Sequence, residues 1–133
     1  MRHLMIATTV IALTAPAVAA KPALRDVASI DNAVFDVAVA NEIRKNCPDI
    51  SARMVRALRM YNDVKKEARK LGYTDAEIDA YADSDTEKAR MKARGAAYFK
   101  ANGVSESDPQ SYCALGRSEI QKSSRIGSLL REK

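Results

Sequence analysis

Imidazole and indole are almost absent from this chain, which has one histidine, His3, and no tryptophan. His3 lies inside an export-type leader, so the sequence beyond it holds no imidazole, and a catalytic cysteine served by a histidine base is excluded. There are two cysteines, Cys47 and Cys113, where zinc needs three or four Cys or His ligands. Residue 50 is isoleucine, so no C-x-x-C pair exists and a redox-active thiol lacks its resolving partner. No C-x-x-C-H occurs either, which excludes covalently attached haem. Asp83, Asp85 and Glu87 imitate the start of an EF-hand loop, but the position that requires glycine is Lys88 and the twelfth residue is Arg94. No metal or other cofactor is expected.

The leader is read from the N-terminus. Arg2 and His3 precede an apolar run from Leu4 to Leu13, followed by the small residues Ala15 to Ala20. That order is a secretory signal peptide over residues 1–20, cleaved after Ala19 or Ala20. Thr14 and Pro16 interrupt the run before it reaches the roughly 20 apolar residues of a membrane span. No later segment is apolar enough to span. The expected product is periplasmic or secreted, a single domain over residues 21–133 whose net charge falls from +5 to +4 with the loss of Arg2.

Leu, Ile, Val and Phe are also scarce, 21 of the 113 residues beyond Ala20, near the limit of about 20% below which a chain struggles to fold. Their spacing is helical throughout. Ile30, Val34, Val37 and Phe35, Val39, Ile43 predict a helix from about Asp31 to Asn46, which Pro48 forbids from continuing. A second helix is expected to start at Asp49 or Ser51, with the stripe Met54, Ala57, Leu58, Tyr61, Val64, Ala68, Leu71, and to end at Gly72. Thr74 to Glu77 and Ser84 to Glu87 read as capping boxes, with Tyr73 and Ile78 as a staple across the first. The first opens a short helix and the second a longer one running to Gly103. Asp108 and Pro109 open a helix carrying Cys113, and Ile126, Leu129 and Leu130 suit a docked C-terminal lid. The fold class is all-α, a compact bundle of about five helices.

In an exported chain two cysteines predict one intramolecular disulfide, Cys47–Cys113. Gly116, one turn beyond Cys113, leaves room for the close approach a bridge demands. Closing a loop of 66 positions should stabilise so thin a core by roughly 4 kcal/mol.

Charge falls in blocks: nine basic and three acidic residues from Arg44 to Lys70, then six acidic and no basic from Asp75 to Glu87. Helix macrodipoles account for much of this. Arg59, Lys66 and Lys70, with Arg56 beside them, lie opposite the second helix's apolar stripe. They form a solvated face or a docking surface for an acidic partner or anionic lipid headgroups. Nucleic acid is not expected as a partner, since no aromatics interleave the cations. Asp31, Asp36, Glu42 and Glu119 are too scattered to mark a carboxylate pair.

The stretches "NCPDIS", "LGYTDAEIDAY" and "YCALGRSEIQKSSRIGSLLR" resemble a family of small secreted alphaproteobacterial proteins, domain-of-unknown-function family 5333, over about Asp31 to Arg131. The resemblance implies an exported helical protein with two cysteines. It brings no known activity, ligand or catalytic residue.

The functional expectation is therefore a non-enzymatic exported domain, held by Cys47–Cys113, that binds another cell-envelope component. Its alternatives are an acid-stress chaperone, in which protonated carboxylates loosen the fold, and a thiol redox protein.

Overall fold

Helix α1, Ala28–Asn46, is the axis of the fold in a computed structural model that describes residues 19–133. All but the last two residues of the expected leader lie outside the described part. Ile30, Asp31, Ala33, Phe35, Val39, Ala40 and Ile43 of α1 are all buried. At 100° per residue they cover well over half the circumference, so the helix is packed on several sides instead of lying on a surface. Cys47 N–H donates to the Ile43 carbonyl at 2.8 Å, and Pro48, which has no N–H to offer, ends the run.

The second helix begins later than expected. Neither Asp49 nor Ser51 caps it: Ile50–Ala52 is a short strand, β1, and α2 spans Met54–Lys70. The competing partner is the C-terminus. Strand β1 pairs antiparallel with β2, Leu130–Glu132, in the register Ile50–Glu132, Ser51–Arg131, Ala52–Leu130. Asp49 is engaged by Arg117 at 3.3 Å, Ser51 Oγ accepts from Arg131 Nε at 3.1 Å, and Arg53 N–H donates to the Leu129 carbonyl. The ribbon thus uses the groups that would have served a helix start. The expected lid accordingly divides into one helical turn, α6 (Arg125–Ser128), and β2, and it does bury Ile126, Leu129 and Leu130.

The remaining boundaries follow their local chemistry. Gly72, at φ 91°, closes α2, and Tyr73 N–H reaches back to the Ala68 carbonyl at 3.1 Å. Thr74 and Glu77 exchange both bonds of a capping box at the start of α3 (Asp75–Asp83). Ser84 caps α4 (Asp85–Ala101), but only half of the expected second box forms, because the Glu87 carboxylate turns to Arg25 and Arg90. Asp108 Oδ1 accepts from Gln110 N–H at the start of α5, Pro109–Gln121. Among the described residues six α-helices, five of them substantial, and one two-stranded ribbon make an all-α fold.

The main core joins α1, α4, α5 and the C-terminal segment through Phe35, Val39, Ile43, Met91, Tyr112, Leu115 and Leu129. A smaller cluster of Leu24, Ile30, Ala68, Tyr73 and Ile78 lies where α2 and α3 meet the start of α1. Cys47 and Cys113 are bonded in the main core, with Cα atoms 5.0 Å apart.

Candidate functional site

Helix α2 departs most from its sequence pattern. Of the expected stripe only Ala68 is buried, with Ala57 and Val64 half-buried. Met54 is 70% exposed, Val55 72%, Leu58 62% and Tyr61 51%, and Leu71 is exposed as well. The face turned to α1 centres on Ala57, Met60, Val64 and Ala68. It takes the small-residue side of the stripe, and nothing among the described residues covers the other side.

Arg56, Arg59, Lys66 and Lys70 are all exposed, and among the described residues none takes part in an ion pair or side-chain hydrogen bond. Arg56 and Arg59 join Arg53 and Arg131 around a shallow groove at the start of α2, with Met54 and Val55 in its wall. Arg56 and Arg59 therefore border the exposed Met54 and Val55, whereas Lys66 and Lys70 lie further along the helix. Periodicity marked both sets but could not show that a wide stripe would be covered on one side only.

A second grouping was not apparent from spacing. Asp31 of α1 is buried and accepts from Tyr81 of α3 at 2.7 Å and from both Arg90 and Arg94 of α4. Glu87, also buried, bridges Arg25 and Arg90. Burial alone raises the Asp31 pKa, but the bonds from Arg90 and Tyr81 and the charges of Arg90 and Arg94 together hold it below the ordinary aspartate value. Burial raises Asp36, against the pull of Arg125 at 3.2 Å. Glu119 receives Tyr98 Oη at 3.1 Å and Glu42 receives Asn46 Nδ2 at 3.0 Å. The four carboxylates named as scattered each have a local donor or cation; Asp31, Asp36 and Glu119 thereby join one helix to another, while Glu42 bonds within α1.

A cleft of about 680 Å³ runs between α1 and α4, opened by the small side chains of Ala38 and Ala96 and by Gly95, with Met91 and Phe99 in its wall and both lysines and glutamates at its rim. Asp49 approaches Cys47 and Cys113 closely enough to suggest a metal cluster, but both sulfurs are spent in the disulfide, which is 1% exposed at Cys47 and 0% at Cys113. A disulfide offers no thiolate to a metal or a substrate. Among the described residues no helix is long and apolar enough to cross a membrane.

Over residues 22–131 the sequence matches the model of a family of unknown function (DUF5333). No curated protein and no solved structure matches it significantly.

Proposed function

As the chain belongs to this family of unknown function, we propose from its own residues that it is an exported, non-enzymatic domain that binds another component of the cell envelope through the outward face of α2. The observation that carries this reading is the exposure of Met54, Val55, Leu58 and Tyr61 beside Arg56 and Arg59. Single exposed apolar residues are ordinary, whereas a contiguous apolar set bordered by cations marks an interaction surface. Export rests on the leader-like residues 1–20. The disulfide supports it, since such bonds persist in oxidising compartments. Affinity capture from envelope extracts tests the reading. Arg56→Glu/Arg59→Glu/Lys66→Glu should lose the components that the wild type retains, and an unchanged set would end it.

A second reading, an acid-stress chaperone, is favoured by Asp31. This carboxylate joins α1 to α3 and α4 through Tyr81, Arg90 and Arg94, and its protonation would loosen that junction and uncover apolar surface. Suppression of client aggregation at about pH 3 but not pH 7 would support it, and equal behaviour at both would eliminate it. The thiol redox reading requires a reachable sulfur, and both are buried. Labelling of the native exported protein by a thiol reagent would revive it.

A further inference from the structure

Helix α2 is polarised along its length as well as around it. Met54, Leu58 and Tyr61 lie on one side of its first two turns with Val55 next to them, and the same side continues through Lys65 and Arg69. The adjoining sector carries Arg59, Lys66 and Lys70. In all, α2 holds six basic and two acidic side chains, and one of the acids, Glu67, receives the Ser29 hydroxyl. Arg53 and Arg131 add two cations beside Met54 and Val55. Among the described residues none of Arg53, Arg56, Arg59 and Arg131 pairs with a carboxylate, and Arg131 donates only to Ser51 Oγ. The Lys65 ammonium stands over the Tyr61 ring, 5.4 Å from its centroid.

Shape and charge separate the possible occupants. The apolar side chains stand on the convex shoulder of a helix. A second copy meeting this face by two-fold symmetry would set one basic patch against another, because such a contact places the same surface on itself. An anionic bilayer instead offers negative charge to the cations beside Met54 and Val55 and an apolar layer a few ångströms further in. Leu58, Val55 and Met54 suit that layer, Tyr61 suits the headgroup level, and the arginine stems can lie along the boundary with their guanidinium groups on phosphate. Resting on the reading of α2 as the docking surface, we propose that its outward face binds the surface of an anionic lipid bilayer. Attachment is peripheral, the helix lying in the plane of the headgroups.

Vesicle sedimentation of the purified exported chain decides it, using vesicles of phosphatidylcholine alone and vesicles in which part of it is replaced by phosphatidylglycerol. Wild type should bind the anionic vesicles only and be released by added salt. Val55→Ser/Leu58→Ser and Arg56→Glu/Arg59→Glu should each bind about tenfold more weakly or worse. Both pairs are exposed, so both variants should keep the wild-type Tm. They also share its N-terminus, so any contribution from residues before Lys21 cancels in the comparison. Equal binding to both vesicle types, or variants that bind like wild type, would overturn the proposal. Absence of vesicle binding together with α2-dependent capture of an acidic protein, or with dimers abolished by Leu58→Ser, would overturn the lipid and leave α2 as the docking surface. Failure of every α2-dependent association would overturn both.

Discussion

Gly116 of α5 faces Ile50 of β1 so closely that a β-carbon at residue 116 would collide with Ile50 Cδ1 and stand 2.9 Å from Ile43 Cγ2. The missing side chain is what allows the ribbon to lie against α5 one turn from the disulfide. Gly127 of α6 is tighter still, because a β-carbon there would meet the Glu119 carbonyl and come within 2.6 Å of Ile120 N. Side-chain tips can rotate away, whereas helix backbone cannot. Gly116→Ala should therefore cost about 1–3 kcal/mol from overpacking, less up to about 1 kcal/mol regained in helix propensity. Gly127→Ala should cost more. Urea unfolding of the two single variants gives the order, and a Gly127→Ala protein as stable as wild type would contradict it.

The disulfide yields a second prediction. Cys47 and Cys113 close a loop of 66 residues, so Cys47→Ala/Cys113→Ala should lose about 4 kcal/mol on the chain-entropy account. Because both sulfurs are buried, a mild reductant should leave the native protein oxidised and act only as denaturant opens it. Unfolding midpoints with and without reductant should therefore diverge, and the native form should stay unreactive to thiol reagents.

Much of this architecture was legible in the residues themselves. Pro48, Gly72, Thr74 with Glu77, and Asp108 with Pro109 act within a few positions of themselves, and each ends or starts a helix where its chemistry requires. The pairing of Cys47 with Cys113 followed from there being two. What escaped was decided by distant partners. Three-residue strands have too few positions to show alternation, and Asp49 and Ser51 are plausible caps until Leu130–Glu132 arrives to pair with their segment. The stripe of α2 was correctly seen as apolar, but periodicity reports amphipathicity and not which side another element will cover. Asp31 looked like one acid among 17, since its partners Tyr81, Arg90 and Arg94 stand 50 or more residues away.

Acid sensitivity should centre on Asp31. A carboxylate whose folded pKa lies below its unfolded value adds stability that is present above the unfolded value and is lost as pH falls through the folded one. With Asp31 held below the ordinary aspartate range, the wild type should weaken as pH drops below about 4. Asp31→Asn should cost about 1–3 kcal/mol near neutrality, a range kept low because Arg90 and Arg94 are partly in solvent. It should also flatten the acid limb, so that the two proteins converge in stability as pH falls. Asp36, raised by burial, works in the opposite sense and should leave some stability at low pH. Urea titrations from pH 7 down to about 3 read both effects.

Alkali should act through tyrosines. Burial, then the bond from its hydroxyl to Glu119, then the charges of Glu119 and Asp36 push Tyr98 up to about 12. Burial and the bond to Asp31 raise Tyr81 further, and burial chiefly raises Tyr112. Each of these rings keeps its proton in the folded chain at a pH where an unfolded chain has released it, so stability should fall as pH climbs from about 10 towards 12. Tyr98→Phe should cost about 1 kcal/mol at pH 7, since buried Glu119 loses a donor, yet it should lose less than wild type between pH 7 and about 11. The phenolate absorbance near 295 nm should lack one late-ionising ring in this variant. If wild-type tyrosines all ionise together near pH 10 while the fold persists, as circular dichroism would report, the packing of Tyr98 against Glu119 is not as described.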